Sequence, residues 1–281
     1  MDKILKTYEP DSLLKRGWIS CLGEILQELK ANRWLTYQLF KRDFLAFYRQ
    51  SFIGVFWAVI MPIVSVAIFL ILNRSGVFVV GNIRGPYLVY AVLGMAFWQL
   101  FSAGSIMSAN ALAKVGSMIT QINVSKKALV ISSYCQSIVS FLIQFLLALT
   151  LLVWYRALPG VGILLVPAAI IPLIIFTLGL GFVLSLLNSV ARDIGNMLSM
   201  VVTFLMLLTP VVYAKPKKGL LMKITEYNPL YYMISGPRDL VTTGGISEWR
   251  GFLISAFASL AFFLLCLIAF HLAEARLAEK V

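Results

Sequence analysis

Few residues in this 281-residue chain are of a type and spacing that could do chemistry. Asp43 follows Arg42 and Asp193 follows Arg192, each pair at the edge of an apolar stretch. As a general acid at a membrane interface, either carboxyl would suit a glycan-processing enzyme. A lone carboxylate beside an arginine suits ion pairing better than proton transfer. Cys21, Cys135 and Cys266 lie far apart, no Cys-x-x-Cys occurs, and His271 is the single histidine. No disulfide framework and no Cys/His metal site is expected from that spacing. The chain also lacks any Gly-Lys pair, hence the Gly-x4-Gly-Lys-Ser/Thr loop that cradles nucleotide phosphates, so no catalytic residue and no bound cofactor is expected here.

The elements that carry these residues are set by composition. Apolar residues make up 60% of the chain, charged residues 13%, and the mean hydropathy is +0.89, beyond what a soluble domain carries. The apolar residues collect in charge-free runs long enough to cross a hydrocarbon layer of roughly 30 Å. Six runs qualify, about 52–72, 87–109, 128–155, 161–187, 196–213 and 251–270. The fold class expected is therefore an all-α integral membrane protein with a six-helix transmembrane domain over 52–281. Six spans put both ends on one side. Fifteen Lys and Arg fall on that side and nine on the other, which predicts cytoplasmic termini. The net charge of +12 is explained by topology and anionic lipid headgroups, with no nucleic acid partner.

Residues 1–51 form a cytoplasmic region too charged near its start for a cleaved signal peptide. Within it Leu22, Ile25, Leu26 and Leu29 recur at helical spacing opposite Glu24, Gln27, Glu28 and Lys30. This predicts an amphipathic helix, and Trp34, Tyr37 and Phe40 among Arg33, Lys41 and Arg42 predict that it lies in the membrane interface.

None of the six runs contains Asp, Glu, Lys or Arg, the residues by which ion-coupled transporters hold their ion at membrane depth. If the chain transports, its energy comes from elsewhere. On the second run Tyr87, Tyr90, Phe97 and Phe101 fall along one helix face with Gly94 between them. Such a face either packs against other helices or offers sugar rings an apolar surface without fixed hydrogen bonds.

Several separated motifs carry a resemblance. Arg42, Asp43, Tyr48, Arg49, Gln50 and Ser51, then Gly54, Trp57 and Pro62, form a charged collar leading into the first run. "ARDIGNM" spans Ala191 to Met197, "TPVVY" spans Thr209 to Tyr213, and "NPLYYMISGPRDL" spans Asn228 to Leu240. In this order the motifs resemble the membrane-spanning permease of bacterial polysaccharide ABC exporters, which export O-antigen, capsular polysaccharide and teichoic acid. The resemblance covers nearly the whole chain.

The resemblance implies a homodimer in the bacterial cytoplasmic (inner) membrane, joined by two ATPase subunits that hold ATP and magnesium, with lipid-linked polysaccharide as substrate. It assigns Arg42, Asp43, Tyr48, Arg49, Gln50, Arg192 and Asp193 to coupling at the cytoplasmic face, and Tyr87, Tyr90, Phe97 and Phe101 to an aromatic conduit. Residues 214–250 would dip back as short extracytoplasmic re-entrant helices before the last span, with Tyr213, Asn228, Pro229, Arg238 and Asp239 at the gate. Asn110 to Lys127 resembles the ATPase-docking loop, although the proline common near Val124 to Lys126 in relatives is missing. A drug or small-lipid ABC permease would share this architecture, without the collar and the Asn-Pro segment.

Overall fold

The computed structural model describes residues 17–49, 83, 85–115, 125–157 and 160–279, with scattered positions between 60 and 75. Of the first expected span, 52–72, only isolated positions are described, and Gln50, Ser51, Gly54, Trp57 and Pro62 lie outside the described residues. The helices are α1 (Gly17–Ala31), α2 (Arg33–Arg49), α3 (Tyr87–Ala109), α4 (Ala111–Val115), α5 (Lys126–Trp154), α6 (Val166–Val190), α7 (Asp193–Leu208), α8 (Leu220–Tyr227), α9 (Pro229–Thr242) and α10 (Trp249–Glu279). A 3-10 turn, Val161–Leu165, leads into α6, with Pro167 in its first turn where no N–H donor is needed.

Among the described residues, four helical stretches are long and apolar enough to cross a membrane: Tyr87–Ala109, Lys126–Trp154, Val161–Val190 and Trp249–Glu274. They match four of the expected runs closely. α3 is the central helix, packed against both α5 and α6, and α10 packs along the other side of α6. Phe97, Leu93, Leu100 and Phe101 of α3 are all shut away from solvent, which makes this helix the core of the bundle. α5 and α10 bury one face each and leave the rest apolar and exposed, as helices bordering lipid do.

Over the expected span 196–213 the helix has different bounds. α7 ends at Leu208, after 16 residues or about 24 Å, short of the roughly 30 Å needed. Its C-cap, Thr209, takes an extended conformation, the bias imposed on any residue preceding a proline. Pro210 also has no N–H to continue the ladder. The chain then folds back through 209–213, so that Tyr213 is not on the helix at all.

Before the last long helix come two short ones, α8 and α9. Asn228 caps α9 with its side-chain oxygen on the Leu230 N–H, and Pro229 occupies the first helical position. α9 is wedged among α3, α6 and α10. The amphipathic helix α1 turns Ile25 fully into a second apolar cluster with Phe182, Leu267 and Phe270, while Leu26 stays 65% exposed. Trp34 and Tyr37 on α2 are exposed as well.

Candidate functional site

At one end of the bundle the 209–213 turn, α9 and the start of α3 converge. The end of α7 leaves carbonyls without helical donors, and where they are buried each needs one. Arg238, 2% exposed on α9, supplies them: its Nη1 donates to the Val211 carbonyl at 2.8 Å and to the Pro210 carbonyl at 3.4 Å. The same guanidinium lies 3.9 Å from the centroid of the Tyr90 ring, a cation–π contact in a desolvated place. Tyr90 in turn donates its hydroxyl to the Tyr213 carbonyl at 3.2 Å.

Gly94 makes this convergence possible. A Cβ there would stand 2.1 Å from the Val211 oxygen and 3.3 Å from Arg238 Nη1, so any side chain would push the turn off α3. Two further bonds fix the turn. Asn228 Nδ2 donates to Thr209 Oγ1 at 2.8 Å, and the Tyr213 hydroxyl donates back to the Leu207 carbonyl at 2.7 Å. Tyr90, Tyr213, Asn228, Pro229 and Arg238, predicted from separate motifs, are thereby gathered in one place. Asp239, next along α9, accepts instead from the Ser247 N–H at 3.1 Å and secures the turn before α10.

Around this knot lies a second tier. Glu248 accepts from Lys215 Nζ at 2.6 Å and from the Tyr231 hydroxyl at 2.8 Å. Lys215 also sits 5.3 Å and 5.8 Å from the Tyr231 and Tyr232 ring centroids. Burial, then the bond to Glu248, drives the Tyr231 hydroxyl well above the ordinary phenol range, so it remains a donor.

The aromatic face of α3 divides. Tyr87 and Tyr90 belong to the Arg238 end, whereas Phe97 and Phe101 are 0% and 1% exposed. Phe97 packs on Phe141 and Phe145 of α5, and Phe101 on Trp98 and on Phe176 of α6. Both phenylalanines are spent on packing within this chain.

The opposite end holds a cluster that sequence reasoning missed. Lys127, in the first turn of α5, is 1% exposed yet charged. Its Nζ contacts Glu28 Oε2 of α1 at 2.7 Å and Glu274 Oε2 of α10 at 2.5 Å. Ser125 caps α5 and donates its hydroxyl to Glu28 Oε1 at 3.1 Å. His271 is buried beside them with both ring nitrogens unpartnered. Glu28, His271 and Glu274 offer ligand atoms within 4.8 Å of one another, the spacing a divalent ion uses. The Lys127 ammonium already occupies the gap between the two carboxylates, so the chain supplies its own cation.

Close by, Asn188 of α6 ties three helices. Its Nδ2 donates to the Ala109 carbonyl at 3.1 Å and to Asn110 Oδ1 at 3.0 Å, while its Oδ1 accepts from the Gly195 N–H at 2.8 Å. Arg192 and Asp193 stand exposed at the adjoining start of α7, with Asp193 placed where a helix N-terminus favours negative charge. Arg42 and Asp43 form an exposed ion pair with each other at 2.8 Å on α2. Tyr48 and Arg49 end that helix, and their side chains lie outside the described residues. The structure thus keeps the collar and the Arg192–Asp193 turn on separate elements.

Comparison with known proteins covers most of this architecture. Residues 35–241 match the family described as ABC-2 type transporter. An "O-antigen export system permease protein RfbA" of Myxococcus xanthus is 27% identical over 194 residues, 67% of this chain and 72% of that protein. Two proteins of the same description from Klebsiella pneumoniae are 25% and 24% identical over 211 and 208 residues, covering 73% and 72% of this chain and 79% and 78% of theirs.

Proposed function

The chain belongs to the ABC-2 type transporter family, and from that premise we propose that it is the membrane subunit of an exporter carrying lipid-linked polysaccharide outward on ATP hydrolysed by a partner. The observation that carries the cargo class is the similarity, over about 70% of the chain, to three permeases named for O-antigen export. The sequence motifs point the same way. Family membership favours a transport subunit over the enzyme reading of Asp43 and Asp193, and among the described residues Asp43 pairs with Arg42 while Asp193 begins α7.

In this reading the Lys127 end faces the cytoplasm and the Arg238 end faces outward, as the distribution of Lys and Arg predicts. The chain carries no ATPase loop of its own and is read as half of an exporter, so two copies and two ATPase subunits make the working unit in the cytoplasmic membrane. α8 and α9 act as the re-entrant outer helices, and the turn clamped by Arg238 is part of the outer closure. Irregular backbone is tolerable at such a place only where protein covers it or water reaches it, and Arg238 and Tyr90 provide the cover.

The test is purification of the chain from its native membrane in mild detergent, with identification of co-purifying subunits, beside deletion of its gene and staining of surface glycan. A stoichiometric ATPase together with intracellular accumulation of lipid-linked glycan is the expected result. Purification without an ATPase, or deletion that leaves surface glycan unchanged, would overturn the reading.

A further inference from the structure

The Glu28–Lys127–Glu274 cluster joins three elements that a transport cycle must move relative to one another: α1, the start of α5, and the end of α10. Resting on the function proposed above, we propose that Lys127 is a positioning residue in that cycle. It holds α1 against the bundle through Glu28 in the nucleotide-free state, and lets α1 go, while staying paired to Glu274, when the partner ATPase binds ATP.

Three observations point to a releasable tie and not to static glue. The first is stoichiometry: one buried ammonium serves two carboxylates, so losing one partner still leaves a charge-neutral pair. A buried cation with a single partner could not let go without being stranded. The second is exposure. The Glu28 side chain is 30% exposed and that of Glu274 19%, so Glu28 is the partner whose carboxylate has water waiting for it. The third is position. Ser125 and Lys127 both hold Glu28, and both lie at the end of the 110–127 connection between α3 and α5. Beyond them, among the described side chains, Ile25 and the partly buried Leu29 set α1 against the bundle, in one cluster with Phe270 and Leu267. A shift of that connection therefore acts directly on Glu28. A two-state element of this kind is what a ligand can bias.

The experiment uses the complex with its ATPase, on a background with Cys21, Cys135 and Cys266 replaced by Ala. Spin labels go on Leu26 and Leu187, which are 65% and 47% exposed. Distances are measured without nucleotide and after trapping with ATP and vanadate. In the parental complex, trapping is expected to move the distribution. In Glu28→Gln the nucleotide-free distribution should already coincide with the trapped one, a population shift of about tenfold or more. Glu28→Asp keeps a carboxylate for the Lys127 ammonium and should stay at the parental nucleotide-free distance. A parental distance indifferent to trapping, a Glu28→Gln distribution that stays at the nucleotide-free position, or one that merely broadens would each overturn the proposal. A parental preparation carrying no ATPase would overturn the function reading instead, and is recognised before any distance is measured.

Discussion

The guanidinium of Arg238 and the carbonyl of Val211, 27 positions apart in the chain, meet at 2.8 Å in the one place on α3 where a glycine leaves room for them. The contact joins the break after α7 to the helix that precedes the last span, and Tyr90 closes it from the third side. Arg238 is thus a structural donor for broken backbone first, whatever passes beside it.

Arg238→Met should destabilise the protein more than Arg238→Lys. The methionine fills the volume but leaves the Pro210 and Val211 carbonyls without their donor, a cost of about 1–3 kcal/mol. Lysine keeps the charge but lacks the planar fork that can lie over Tyr90 while donating to Val211. Thermal unfolding of the purified protein in detergent ranks the three. Equal unfolding temperatures for all would show that the clamp contributes nothing.

Gly94→Ala and Gly23→Ala form a matched pair. Both glycines sit in helices, where alanine is intrinsically better by about 1 kcal/mol. At Gly23 a Cβ meets nothing within 4 Å, so the substitution should be neutral or stabilising. At Gly94 it meets backbone at 2.1 Å, which cannot yield like a flexible side chain. The 209–213 turn must move, and both stability and export should fall. Unfolding temperature and surface glycan measured on the same strains check it, and a harmless Gly94→Ala would mean the turn is loosely held.

The long spans were legible because charge-free runs of hydrophobic length have few other uses: α3, α5 and α6 with its leading 3-10 turn begin and end within a few residues of expectation, while α10 runs on past 270 to Glu279. The fifth run was over-read by five residues because hydropathy continues smoothly through Thr209 to Tyr213 while Pro210 stops the helix. The outer motifs announced Tyr90, Asn228 and Arg238 but not their meeting. That meeting depends on Gly94, which looked like a spacer in an aromatic stripe. Lys127 was hidden for a different reason. Its partners Glu28 and Glu274 are 99 and 147 positions away, and a lysine at the start of an apolar helix reads as an ordinary headgroup anchor.

Replacing Phe97 and Phe101 by Leu should lower stability and leave export unchanged. Each ring is buried between helices of this chain, and trading an aromatic pair for a smaller side chain forfeits about 0.5–1.5 kcal/mol of ring contact at each site. A conduit role would show the reverse pattern, with little change in unfolding and slower appearance or altered length of surface glycan. Unfolding temperature and gel electrophoresis of the glycan, measured side by side, separate the two.

Asn228 performs two tasks that substitution can divide. Its Oδ1 caps α9 on the Leu230 N–H, and its Nδ2 holds Thr209 at the end of α7. Asn228→Asp keeps an acceptor for the cap, as good as asparagine at that position, and gives up the Nδ2 donor, but the Thr209 hydroxyl can turn and donate to the carboxylate, so its cost should be small. Asn228→Ala loses both, adding about 1 kcal/mol for the cap. Thr209→Val should therefore cost less on the Asn228→Ala background than in the parental protein, because the bond it removes is already gone there. A double-mutant cycle by thermal unfolding reads the coupling directly, and additive effects would mean that Asn228 and Thr209 act independently. Because the same side chain caps one helix and ends another, α7 and α9 cannot shift against each other without breaking this contact. Export should therefore follow the Thr209 bond more closely than the cap: Thr209→Val, which spares the cap, would impair transport nearly as much as Asn228→Ala despite its smaller loss of stability.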